Sequence, residues 1–279
     1  MVETTVELIT PKKAAEYLKH NTLNRPIRSR HLEILMREMT SGNWKLTHQG
    51  IAFDEAGNLL DGQHRLTAVV LTGVTIESLV TRNLKQQAAR SIDKTAVRNY
   101  NDSHVFDGKS RPALFKSSKI QAAVRGIVRF GYSKTYYLID SQVDALMEQW
   151  QSALEALQRA SCGRGKNVGG AINAAMLAAL LNGEQEADIY SFYSVYTLGD
   201  TKGSEGRNVQ APFRFANAVM NEKEKVGQIN RDRQYNLAQN AIWQYIHSEK
   251  TEALRMTKEL RYPTFQMIEQ ILKGENSNA

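Results

Sequence analysis

Five consecutive residues, Asp61-Gly62-Gln63-His64-Arg65, set a carboxylate, a glycine and two nitrogen-rich side chains in a spacing suited to holding an anion. Leu59-Leu60 before them suits the end of a strand, and residues 62–71 suit a helix stopped by Gly73. A helix start carries N–H groups without intrahelical partners and the positive end of the helix dipole, so it attracts phosphate. Gly62 lets a ligand approach the backbone closely. His64 and Arg65 add side-chain donors, and a guanidinium can fork onto phosphate oxygens. Asp61 would be repelled by bare phosphate and therefore suits a magnesium ligand, a general base or a helix cap. The same five residues also fit a capped helix with a solvent-facing His-Arg pair. His48-Gln49 precede the Gly50 strand, so Gln49 is expected either at the same ligand or in a plain loop.

Short elements must position that turn. Residues 6–9 read as a strand, and Thr10-Pro11 as the cap and first position of a helix running to about His20. Asn24-Arg25-Pro26 punctuates a loop. Ser29 is expected to cap a helix carrying Leu32, Leu35, Met36 and Met39, ended by Ser41-Gly42. Residues 50–53 suit a strand, 54–58 a turn, and 76–80 a further strand. Beyond about Pro112 the texture changes. Residues 113–130, 141–160, 168–181, 186–196, 211–220, 231–247 and 264–272 all suit helices. The expected fold class is α+β: a mixed domain over 1–111, then an all-helical domain over 112–279.

The run Gly50-Ile-Ala-Phe-Asp-Glu-Ala-Gly-Asn-Leu-Leu-Asp-Gly-Gln-His-Arg-Leu-Thr-Ala resembles the core of the ParB/sulfiredoxin superfamily. In that superfamily a strand feeds a Gly-x-x-Arg turn at a helix start, which binds nucleotide phosphates. Partition ParB proteins carry Gly-Glu-Arg-Arg there and bind CTP. Sulfiredoxin carries Gly-Cys-His-Arg and binds ATP with magnesium, and free-serine kinases reuse the fold for phosphoryl transfer. Gln63 stands where sulfiredoxin has its cysteine, so reduction of a sulfinylated cysteine is not implied. The Asp-Gly-Gln-His-Arg wording is most similar to ParB-like proteins of phages and DNA-modification gene neighbourhoods. Residues 6–102 carry most of that resemblance, including Met39-x-x-Gly42-x-Trp44 and the Asp93, Arg98 and Asp102 spacing. It implies nucleotide binding through Gly62, Gln63, His64 and Arg65, with ATP or CTP as the nucleotide. Asp61 would hold magnesium, and Asp61 and His64 would be the catalytic pair if turnover occurs.

The balance of 42% apolar and 23% charged residues is that of a globular chain. No apolar run is long enough to span a membrane, and Met1–Thr5 do not read as a secretion signal. A cytoplasmic location is the expectation. The single Cys162 excludes an internal disulfide and a cysteine-based zinc cluster. Twelve Lys/Arg stand against three aspartates over residues 82–134, a local net charge of +9 within a chain of +7. That suits either contact with a polyanion such as DNA, through Lys116, Lys119, Arg125 and Arg129, or a solvated basic surface.

Other features suit structural roles. Trp44 is expected to pack. Asp93, Arg98 and Asp102 suit ion pairing on one helix face, or else Arg98 reaches the nucleotide. Cys162-Gly163-Arg164-Gly165-Lys166 lacks the P-loop frame. The rings from Tyr190 to Tyr196 suit a core, and His31, His104 and His247 are too scattered for zinc. Three functions fit: a magnesium-dependent NTPase or phosphotransferase, a nucleotide-gated DNA-binding protein, and a metal-dependent nuclease. The last has only Asp54, Glu55 and Asp61 to draw on.

Overall fold

In a computed structural model of the protein, the described residues are 1–22, 24, 26–87, 100, 112–161, 168–226, 230–250 and 253–274. They fall into two compact units, one within residues 1–103 and the other within residues 104–274. The boundary expected near residue 111 lies outside the described residues, as do Arg25, Asp93, Arg98, Asp102, His104 and the Cys162–Lys166 loop.

The first unit is mixed. Its elements are β1 (Glu3–Ile9), α1 (Pro11–Leu18), α2 (Ser29–Thr40), β2 (Ile51–Asp54), β3 (Leu59–Asp61), α3 (Gln63–Thr72) and β4 (Ile76–Leu84). The sheet order is β1-β4-β2-β3; β4 is antiparallel to β1 and parallel to β2, and β2 is antiparallel to β3. A parallel pair needs a crossover, and α3 supplies it. Both α1 and α2 pack on α3. Ile9, Ile51, Leu59, Leu66, Val69 and Val80 form the centre of the core, with Trp44 packed against it.

Local chemistry sets the element ends. Thr10 accepts the Lys13 N–H at 3.2 Å and Pro11 opens α1, while Gly73, in the left-handed region, closes α3. The Asp54 carboxylate closes the β2–β3 hairpin by accepting Ala56 N–H (2.9 Å), Asn58 N–H (2.7 Å) and Asn58 Nδ2 (3.0 Å). The cap of α2 differs from expectation. Arg28 occupies the cap and Ser29 is the first helical residue, with no side-chain capping bond. Both β1 and β4 are longer than their apolar patterns suggest. Glu3, Thr4 and Thr5 pair with Arg82, Thr81 and Val80, so strand partners extend the ladder through polar residues.

The second unit is helical among its described residues. A 3₁₀ turn (Ala113–Lys116) leads into α4 (Ser118–Gly131), followed by α5 (Asp140–Gln149), α6 (Gln151–Ser161), α7 (Gly170–Leu181), α8 (Glu186–Leu198), α9 (Gln210–Val226), α10 (Arg231–Ile246) and α11 (Phe265–Gly274). Two expected helices are thus subdivided, one at Ser117 and one at Trp150. Helix α7 (Gly-Ala-Ile-Asn-Ala-Ala-Met-Leu-Ala-Ala-Leu-Leu) is apolar on all sides apart from the buried Asn173 and packs against both α4 and α10. Its buried Ile172, Met176 and Leu177 each contribute roughly 1.5–3 kcal/mol to stability. On α8, Phe192 and Tyr193 are core residues as expected, but Tyr190 is exposed.

Candidate functional site

Strand β3 turns into α3 at Gly62, whose φ of 99° lies in the left-handed region. A β-carbon there would stand 3.0 Å from Ile51 Cγ1 and 3.2 Å from Ile51 Cα, so both conformation and space call for glycine. Gly50 meets a harder limit, because a β-carbon would lie 2.2 Å from the Leu79 carbonyl oxygen. The two glycines let β2, β4 and the start of α3 close upon one another. Arg65 uses that closeness. Its Nη1 donates to the Gly50 carbonyl at 2.7 Å, and its Nη2 to Gln49 Oε1 at 3.4 Å. Asp61 Oδ1 accepts the Gly62 N–H at 2.6 Å, and Asp61 Oδ2 lies 3.6 Å from Arg65 Nη1. The side chains of Arg65 and Asp61 remain 17% and 30% exposed, so this guanidinium–carboxylate pair is within reach of a ligand.

The other two signature residues face the protein. Gln63 is buried, and its Oε1 accepts from Asn21 Nδ2 at 3.2 Å. His64 is buried too; its Nε2 accepts the Arg28 N–H at 3.0 Å, and the His31 ring meets it edge-on with centroids 5.1 Å apart. Asn24 Nδ2 donates to Asn21 Oδ1 and to the Leu59 carbonyl, both at 2.7 Å. Side-chain bonds from Asn21, Asn24 and the α2 start thereby fasten the segment between α1 and α2 to the β3–α3 turn. Sequence reading missed Asn21, Arg28 and His31. The polar density around Pro26 was their one signal, and it reads equally as an ordinary loop. Of the pair His48-Gln49, both are exposed and Gln49 alone has a bond to Arg65.

Among the described residues no three His, Cys, Asp or Glu side chains gather as a metal site. Asp54 is committed to its hairpin turn. The Asn58 side chain leads the bonds that hold its carboxyl below the usual carboxylate range, against a smaller opposing effect of burial. Asp61 thus stands as a lone candidate carboxylate. Magnesium accepts such a site when ligand phosphates and water complete its octahedron.

Among the described residues, several cations of the basic segment have partners within their own unit. Lys119 Nζ donates to the Ser161 carbonyl at 2.8 Å, and Arg125 Nη2 lies 3.4 Å from Asp140 Oδ1. Lys134 pairs with Asp232 at 2.7 Å, and Arg82 with Glu7 at 2.6 Å. Lys85, Lys116 and Arg129 are exposed.

Two further polar clusters share no residue with the Gly62 turn. Glu7 on β1 accepts Tyr17 OH (2.6 Å), Arg82 Nη1 (2.6 Å) and Lys13 Nζ (2.8 Å). Burial alone would raise the Glu7 carboxyl, but bonds from Arg82, Lys13 and Tyr17 override it and hold it at about 2. Burial, then the Glu7 carboxylate, push the Tyr17 phenol up to about 12. In the helical unit, Tyr262 OH and His247 Nε2 both lie 2.9 Å from Glu184 Oε1.

No family model matches the chain, and neither does any curated protein. Among solved structures it is similar to a Pnob8-like ParB-N domain, with 12% identity over 99% of each chain and a TM-score of 0.20. Superposition that loose does not establish a common fold. No helix among the described residues is long and apolar enough to cross a membrane.

Proposed function

We propose that the first unit binds a nucleoside triphosphate, ATP or CTP, through its phosphates at the start of α3. The carrying observation is the Gly62 turn itself, with Arg65 held beside it by the Gly50 carbonyl and Gln49. Backbone N–H groups at the helix start and the forked guanidinium supply the anion contacts. The resemblance of residues 50–68 to the phosphate-binding turn of ParB-like and sulfiredoxin-like proteins points the same way. Asp61 fits a magnesium ion only in company with the nucleotide, which would supply the missing oxygen ligands. When bound, magnesium would neutralise phosphate charge. The chain's own contribution is to orient the phosphates and place Asp61 beside them.

Turnover, as an NTPase or phosphotransferase, extends this proposal and assigns Asp61 its role in it. DNA binding is the competing extension, favoured by the basic run over residues 82–134. Calorimetric titration of ATP and CTP, each with and without magnesium, tests the binding step. The expected result is saturable, magnesium-strengthened binding of at least one nucleotide. No binding of either would overturn the proposal. The N-cap of α3 is Gly62, with no side-chain capping bond, so the cap expected of Asp61 is not formed. Asp61→Asn separates the remaining roles: if Asp61 only accepts the Gly62 N–H, asparagine substitutes well and turnover persists. The expected result is instead loss of phosphate release or transfer, loss of the magnesium effect, and nucleotide affinity within a few-fold.

A further inference from the structure

In the resembling proteins the His-Arg pair of the turn invites a common role, with both side chains donating to phosphate. The geometry here divides them. Arg65 is partly exposed with its fork at the turn, whereas His64 is buried and accepts a hydrogen bond from the Arg28 N–H. A nitrogen that accepts from an amide N–H carries no proton, so the bond requires the neutral ring with its proton on Nδ1. Arg28 is the cap residue of α2, and α2 packs on α3. Together with Asn21–Gln63 and Asn24–Leu59, the bond fastens the segment leading into α2 against the phosphate turn.

We infer that His64 is a positioning residue for the phosphate site: its neutral ring holds the start of α2 against the Gly62 turn, and protonation releases it. The inference rests on the proposed nucleotide site for its binding consequence, but not for the bond itself. An imidazolium has no acceptor nitrogen, so acid strands the Arg28 N–H and sets two N–H donors against each other. Among the described residues, the titratable ring packed on His64 is His31; Arg28, whose N–H it accepts, and Arg30 flank that contact at the start of α2, and Asp61 and Arg65 adjoin His64 along the chain at its own turn. Those of α1 are engaged elsewhere: Glu16 with Lys19, Tyr17 with Glu7, and His20 against the Phe53 ring.

The sign of the pH effect distinguishes this role from phosphate donation. A donor histidine binds phosphate more tightly as it gains charge. A positioning histidine does the reverse. Magnesium-ATP and magnesium-CTP affinity of the full chain should fall on the order of tenfold from about pH 8 to about pH 5.5, where one part-buried bond is lost. His64→Gln restores an acceptor near Nε2 and should retain affinity within a few-fold while abolishing the pH dependence. His64→Leu should bind weakly at every pH, with unchanged circular dichroism showing that it folds. His31→Asn should keep the pH dependence. Affinity that rises in acid, a pH dependence that survives in His64→Gln, or one that vanishes in His31→Asn would overturn the inference. Nitrogen-15 shifts of His64 and hydrogen exchange of the Arg28 amide test the bond without nucleotide. A protonated Nε2 at neutral pH, or an unprotected Arg28 amide, would refute it even if no nucleotide binds. Conversely, an intact bond with no nucleotide binding would fault only the proposed function.

Discussion

Arg65 carries most of the binding reading, because it brings a delocalised charge to the Gly62 turn while two protein oxygens fix its direction. Arg65→Ala should therefore weaken nucleotide binding by roughly 1.5–3 kcal/mol, more than tenfold in affinity. Arg65→Lys keeps the charge but not the planar fork, and should recover only part of the loss. Titration calorimetry at fixed magnesium checks both, and unchanged affinity in Arg65→Ala would remove the site from this turn. Gly62→Val is a poorer probe. At φ 99° a branched side chain is strained and would press on Ile51, so fold and site would fail together.

Glu7, Tyr17 and Arg82 tie β1, α1 and β4 into one element cluster around a carboxylate held at about 2. A carboxyl with a depressed folded pKa stabilises the protein above its unfolded pKa, and that stabilisation is lost as pH falls through the folded value. Here the window runs from the ordinary 4.5 down to about 2. Glu7→Gln should cost roughly 1–2 kcal/mol at neutral pH, allowing for solvent screening of a part-buried cluster. The gap from wild type, followed by urea unfolding across pH, should close as pH approaches about 2. A gap independent of pH would mean that packing, not charge, is what Glu7 contributes. In the helical unit the amides of α10 do similar work. Gln239 bonds both the N–H and the carbonyl of Tyr262, and Asn236 does the same with Thr257. They hold a segment without regular structure along a helix whose sequence period alone suggests only core packing.

For the molecule as a whole, the basic run is the feature whose reading depends most on the partners its described cations find. Its described cations are divided between the two units, and Arg82, Lys119, Arg125 and Lys134 all have carboxylate or carbonyl partners. If the run meets DNA, affinity should fall steeply with salt as condensed counterions are released. Lys116→Gln and Arg129→Gln should each flatten that slope by up to about one unit. Lys119→Gln and Arg125→Gln should lower stability more than they change the slope. Filter binding over a salt series, with and without nucleotide, reads both effects. Absence of salt-dependent binding would assign the charge to a solvated surface.

Much of this arrangement is local, and local chemistry is readable from the chain. The Thr10-Pro11 helix start, the Gly73 stop, the Asp54–Asn58 turn and the strand–glycine–helix order around Gly62 depend on residues adjacent in sequence. So does the change to helices after Pro112, because amphipathic and apolar periods are properties of short windows. What a side chain bonds across the fold is not local. Nothing near His64 or His31 in the sequence says that their rings meet, or that the Arg28 N–H, 36 residues away, claims the imidazole nitrogen. Nor does the spacing of cations between residues 82 and 134 say which will find carboxylates on other helices. Sequence alone determined that a strand, a glycine turn and a helix start meet at Gly62, with a carboxylate and a guanidinium beside them. Tertiary structure decided which of its neighbours face that start and which are spent holding it in place, because burial and hydrogen-bond pairing depend on contacts between segments remote along the chain.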